Sequence, residues 1–324
     1  MKHSQVLSIV LCFALGAANV LNAAESRAAA GGKIYVTAWF GGEVAVLDLN
    51  TGKTIRTVKV GVHDHNIFLS PDQKSAWVTN NNDGTVSVID TATDQVSRTF
   101  RVGNGPRHSF ISPDGKEAYV TTEFDDAVAV IDPGTYAPLA TVKVGRMPHF
   151  ALVAGGKVFV SNFGSADVSV IDRANRNVIG TIPVGLGPLG AGFAKDTQRV
   201  YIACHAANQV TVIDGNSLQV ITNIPTDAGP VQVTVTPDQK YAYVANDGAG
   251  TVQKIDLASN AIVKTVPIAP NAGTHGIGFA ADGKLLLVTN TGNNTISVID
   301  TAKDLIVKTL KVGTAPEGIA FKRP

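Results

Sequence analysis

Short apolar runs alternate with polar turns along almost the whole chain. Ala76 to Asp90, AWVTNNNDGTVSVID, joins two β-branched runs through a stretch rich in Asn, Asp and Gly. That is the pattern of two strands and a tight turn. Equivalent stretches begin at Ile34, Ala118, Val158, Val200, Ala242 and Leu286. Their closing aspartates, Asp48, Asp90, Asp132, Asp172, Asp214, Asp256 and Asp300, are spaced by 42, 42, 40, 42, 42 and 44 residues. Each is followed by a turn, a third strand such as Val96 to Val102, a Gly-containing loop, and a small-residue apolar strand such as His108 to Ile111. No segment sustains a helical apolar period. Four strands in every such interval, repeated seven times, predict an all-β seven-bladed β-propeller of four-stranded blades.

The two ends predict how the ring closes. Lys33 opens on what is the second strand of a blade, and Glu317 to Phe321 is an inner strand with no blade after it. Pairing that strand beside Ile34 to Ala38 completes the seventh blade and removes two open edges that would otherwise invite aggregation. The predicted propeller is one domain over residues 33–322. The closing aspartates are expected to accept hydrogen bonds from the turn that follows them, and Asp72, Asp114, Asp238 and Asp282 to be structural in the inner-strand turns.

The tetrads at Tyr35, Trp77 and Tyr119, the V-I-D closings and the G-x-x-P…SPDG linkers resemble those of YVTN-type β-propellers, including YncE-like exported proteins. The resemblance runs from Lys33 to Phe321. The G-H and W-D dipeptides of WD40 repeats are missing. The resemblance implies the fold and not one activity, because propellers host unrelated chemistries.

Composition narrows the function. Lys2 is the only basic residue before Ala24, and the other 26 basic residues balance 26 acidic ones, so no basic field marks the chain for nucleic acid or an anionic membrane. Residues 1–24 read as a secretory signal, with Lys2 and His3, an apolar run from Val6 to Leu15, and small residues after it. Cleavage is expected after Ala24 or as late as Ala30. The run is too short to span a membrane, and the mature protein is expected to be periplasmic or secreted. Cys12 lies in the leader without a lipobox. Cys204 is then the one remaining cysteine, which excludes an internal disulfide and the C-x-x-C-H motif of covalent c-type haem. It is expected to be buried and inert, with Cys204-His205 as a soft-metal pair the alternative.

Residues that break the repeat are free to serve function. Beyond the leader the histidines are His63, His65, His108, His149, His205 and His275. Five are expected in loops entering inner strands and His205 in a loop between second and third strands, all on one face. Equivalent inner-strand positions are His65, Arg107, His149, Leu189, Val231, His275 and Glu317, and ring closure makes the ionisable ones consecutive. His108 and Asn66 follow one position later. His65, His149, His275 and Glu317 are a candidate set for a divalent transition metal. Arg107 with imidazoles, His108 included, is an alternative set for a carboxylate or phosphate. Trp39, Phe40, Glu123, Phe124 and Phe163 share the loop class and are candidates to wall a pocket.

No G-x-S-x-G, H-E-x-x-H or P-loop occurs. The leading expectation is therefore a non-catalytic, monomeric binding protein that takes a small molecule, metal or protein partner at the channel mouth. A metal-assisted hydrolase or lyase of lactone type is the enzymatic alternative, in line with the architectural resemblance to lactonase-like propellers. Single-stranded DNA binding, associated with YncE-like proteins, is third and is disfavoured by the neutral charge.

Overall fold

A computed structural model describes residues 31–324. The leader expected at residues 1–24, the cleavage sites expected up to Ala30, and Cys12 lie outside the described residues. Seven four-stranded antiparallel sheets are arranged as the repeats predict. In one blade Asp64–Leu69 is innermost, followed outward by Ser75–Asn80, Thr85–Asp90 and Gln95–Arg101. The closing blade joins Pro316–Lys322 from the C-terminal end to Lys33–Ala38, Glu43–Asp48 and Thr54–Lys59. Its register sets Ile34 against Phe321, Tyr35 against Ala320 and Val36 against Ile319, which is the predicted closure. No helix among the described residues is long and apolar enough to cross a membrane.

The repeated residues hold the blades. Tyr35, Trp77, Tyr119, Phe159, Tyr201 and Tyr243 are all fully buried between neighbouring sheets, each ring contributing roughly 1.5–3 kcal/mol through burial. Tyrosine hydroxyls also latch adjacent blades: Tyr243 Oη donates to Asp304 Oδ1 at 2.7 Å and Tyr201 Oη to Asn260 Oδ1 at 2.9 Å. The closing aspartates behave as expected. Asp90 Oδ1 accepts from Ala92 N and Thr93 N at 3.0 and 2.9 Å, and Asp48, Asp132, Asp172, Asp214, Asp256 and Asp300 accept from their own turns. In the inner-strand turns Ser70, Ser112 and Thr236 donate to Asp72, Asp114 and Asp238. Ala280 removes that donor from Asp282, which instead lies 3.7 Å from Arg323.

Two features bring the inner strands together around the channel. Gly276 and Gly318 let backbones approach: a Cβ on Gly276 would lie 2.0 Å from the Glu317 carbonyl oxygen, and one on Gly318 would lie 2.8 Å from Ile67 N. In addition, every inner strand shifts register near its first residues, for example between Asp64 and Ile67 and between Pro106 and Ser109. Such a bulge bends the strand and re-aims its side chains.

Candidate functional site

Four histidines meet at one end of the channel. His65, His108, His149 and His275 lie within inner strands rather than in the entering loops, so the expected loop-borne cluster is a layer built into the sheets. His63 does lie in a loop and His205 in a short 3-10 turn, His205–Ala207. Ring centroids are 5.0 Å apart for His65 and His108, 4.8 Å for His108 and His149, and 5.4 Å for His65 and His149. One nitrogen from each of these three falls within 4.8 Å of the others. His275 stands further off, with its centroid 6.2 Å from that of His65. His65 Nε2 is 3.6 Å from Glu317 Oε2, too long for a hydrogen bond.

The tight group is thus His65, His108 and His149, with Glu317 beside it, and the sequence grouping placed His275 where His108 stands. The register shift explains the exchange. Strict alternation would send neighbouring strand positions to opposite faces, whereas the bulge turns the second residue of one inner strand and the third of the next into one layer.

Threonines of the second strands fix this layer. Thr37 Oγ1 accepts from Gly318 N at 2.8 Å and donates to the His65 carbonyl at 2.9 Å. Thr79 accepts from Asn66 N at 3.1 Å and donates to the Arg107 carbonyl at 2.6 Å. Thr121 accepts from His108 N at 3.1 Å and donates to the His149 carbonyl at 2.9 Å. Thr289 links Gly276 N to the Glu317 carbonyl, both at 2.7 Å. The corresponding residues of the remaining blades are Ser161, Ala203 and Ala245. Every bridged carbonyl therefore belongs to the ionisable arc. Sequence reading took these threonines as part of the repeat; their loss in three consecutive blades was the available signal.

Burial sets the protonation of the layer. Desolvation, reinforced by the neighbouring imidazoles, Arg107 or both, holds His65, His108 and His149 well below the ordinary histidine value. Desolvation lowers His275 to about 4 and, against the pull of Arg107, raises Glu317 to about 8. At neutral pH the imidazoles are neutral and Glu317 is protonated, so His65 and Glu317 are not an ion pair. Asp64, missed in the sequence although most other inner strands begin with Pro, is buried and raised to about 7 by desolvation. Its Oδ2 accepts from Ala38 N at 2.8 Å.

Several of these groups have no protein partner: His65 Nδ1, both nitrogens of His108, His149 Nδ1, Asp64 Oδ1 and Glu317 Oε2 are buried without a hydrogen bond. Buried polar atoms are otherwise nearly always paired. Neutral imidazoles with free lone pairs are what Zn, Cu, Fe or Ni require. Four-coordinate zinc with ~2.0–2.1 Å bonds separates its nitrogen ligands by about 3.3 Å, so the imidazoles must close by at most roughly 1.5 Å from the 4.8 Å spread.

Above the layer, Trp39 stacks on His63 at 5.3 Å and meets His65 edge-on at 5.1 Å, with Arg107 over its ring at 5.5 Å. Arg107 Nε donates to Glu123 Oε2 at 2.5 Å, so the guanidinium expected to hold an anion is already paired. Phe40 and Phe124 are exposed, and Phe163 is at the edge of exposure. Cys204 is a buried free thiol, pushed upward by burial, while His205 Nε2 lies 3.1 Å from Asp247 Oδ1. The two face different surroundings and form no soft-metal pair.

Fold and site define the class, a seven-bladed β-propeller carrying a histidine layer at one channel mouth. Residues 222–322 match the model of YNCE-like beta-propellers, which bears out the resemblance over that segment, and residues 28–144, which contain the tetrads at Tyr35, Trp77 and Tyr119, match that of the lactonase, 7-bladed beta-propeller. No curated protein matches the chain. Among solved structures, a functionally unknown protein from Desulfotomaculum acetoxidans superposes with a TM-score of 0.79 at 15% identity, over 90% of this chain and 99% of that one. Kuenenia stuttgartiensis hydrazine synthase gives 0.72 at 19% identity, over 81% and 95%. Apo AztD from Citrobacter koseri gives 0.65 at 14% identity, over 90% and 98%. At these identities the likeness is one of fold.

Proposed function

We propose that this chain is an exported metal-binding propeller that holds one divalent transition-metal ion at the channel mouth. His65, His108 and His149 supply neutral imidazole nitrogens, and Glu317 supplies a carboxylate once the metal displaces its proton. The observation that carries this reading is the set of buried, unpartnered nitrogens on three mutually adjacent imidazoles. His275 lies at the edge of the set as an alternative ligand. The charged, apolar and small-residue order of residues 1–24 supports export. The test is a titration of metal-free protein with zinc and copper, with His108→Ala and His149→Ala in parallel; full retention of affinity in both variants overturns the reading.

One observation favours a hydrolytic extension. The segment that matches the lactonase model contains His65, Arg107 and His108. A bound divalent ion with an open position lowers the pKa of its water and makes a nucleophile at neutral pH. Turnover of a γ-lactone by metal-loaded protein, abolished in His108→Ala, tests it; no turnover by loaded protein leaves binding as the function.

A further inference from the structure

Beyond the histidine layer, toward the opposite face, the channel is a cavity of about 600 Å³, within the range of small-molecule sites. Its walls are unlike. Phe68, Phe110, Gly192, Thr234 and Gly278 occupy one strand position, each paired with the buried anchor of its own blade, Trp77, Tyr119, Tyr201, Tyr243 and Leu287. Blade order makes Phe68 and Phe110 neighbours, with ring centroids 4.6 Å apart, and Phe150 lines the same side. Gly192, Thr234 and Gly278 lie on consecutive blades across the ring. A Cβ on Gly192 would already press on Val233 at 3.2 Å, so it is at Thr234 and Gly278 that side-chain bulk is small where the other side carries rings. Gln232 adds an amide beside Thr234.

Charge distinguishes the outer end. Lys195, exposed just after the inner strand Pro188–Ala194, is the only charged residue among the described residues that line the cavity, and Asp72, Asp114, Asp196 and Asp238 adjoin lining residues at the same end.

We propose that the channel binds a planar aromatic carboxylate, its ring system between the phenylalanine wall and the glycine wall and its carboxylate at Lys195. Offset or edge-to-face contact with Phe68 and Phe110 favours a flat ring over a bulky aliphatic group. Gln232 and Thr234 offer hydrogen bonds to a polar ring edge. The site adjoins the histidine layer through Phe150, whose ring centroid is 4.8 Å from that of His108, and binding there does not depend on the metal being bound.

The probe is 2-naphthoate, titrated into the full chain by calorimetry with naphthalene-2-carboxamide as its neutral counterpart. One saturable site is expected. Gly278→Leu should weaken binding by about tenfold or more, because a Cβ there meets only Ile319 atoms at 3.7 and 4.0 Å, leaving the added bulk to fill the channel. Thr234→Leu fills the same space from the next blade and decides the matter if Gly278→Leu does not fold. Lys195→Ala should weaken naphthoate about three- to tenfold and leave the carboxamide unchanged. Saturating zinc should leave naphthoate binding intact, which separates this site from the metal centre. No saturable binding at millimolar probe, or naphthoate binding that survives the channel-filling changes, overturns the site. An equal effect of Lys195→Ala on both probes overturns the carboxylate assignment.

Discussion

Thr121 Oγ1 donates to the carbonyl of His149 in the next blade while accepting from His108 N in its own. One hydroxyl thus fixes the backbone beneath two of the three clustered imidazoles. Thr121→Val keeps the shape and leaves a buried N–H and C=O unpaired, which should cost about 1–3 kcal/mol in chemical denaturation. It should also lower metal affinity by about 10-fold, as supporting contacts around ligands commonly do. Ser161, the equivalent in the following blade, has a buried Oγ with no partner. Ser161→Ala should change stability by less than about 0.5 kcal/mol, and an equal loss in both variants would contradict the bridging role.

The strand Pro316–Lys322 is the inner strand of the blade that contains Ile34. Deleting 316–324 removes the partner of Lys33–Ala38 and Glu317 with it. The truncated protein should melt well below the intact chain or be recovered as aggregate, since it exposes two strand edges. An unchanged melting temperature would count against closure by this strand.

Architecture and site were unequally legible in the sequence. Blade number, strand order and closure followed from local periodicity, because each repeat spells out its own strands and turns. The ionisable arc followed from aligning inner strands, which placed His65, Arg107, His149, His275 and Glu317 around one mouth. The pairing inside that arc did not follow. A backbone bulge leaves no residue signature here, so His108 could not be seen to join His65 and His149 ahead of His275. The Arg107–Glu123 pair joins an inner strand to the loop after the second, and only the folded blade shows that this cation already has a carboxylate partner. Asp64 hid in a position that reads as a strand start.

Glu317 should make the metal-free protein lose stability as pH rises from about 4.5 to about 8. Its folded value is about 8 against an ordinary 4.5. Between those values the folded state keeps a proton that the unfolded chain has lost, so raising pH favours unfolding, by up to about 1.4 kcal/mol per pH unit. Asp64 has the same sign up to about 7. The lowered histidines act oppositely, destabilising the fold as pH falls below their ordinary 6.5. Denaturant titrations with chelator present should show Glu317→Gln flattening the alkaline slope; a wild-type slope that persists in the variant would exclude Glu317 as its source.

Metal affinity should resist acid more than exposed histidines would allow. The buried imidazoles are still neutral below pH 6, where free histidine carries a proton. Binding should instead tighten with rising pH toward about 8, as the Glu317 proton becomes easier to displace. An affinity that collapses as pH falls through the ordinary histidine value would mean that the ligands are exposed imidazoles and not the buried three.

The most direct measurement is the metal stoichiometry and affinity of the purified protein, by elemental analysis and competitive zinc titration, across wild type, His65→Ala, His108→Ala, His149→Ala and His205→Ala. One equivalent should bind, with affinity lowered well over tenfold by each of the first three changes and left unaltered by His205→Ala, whose ring is engaged with Asp247. Sub-stoichiometric metal in the wild type, or His108→Ala binding as tightly as wild type, would contradict the centre.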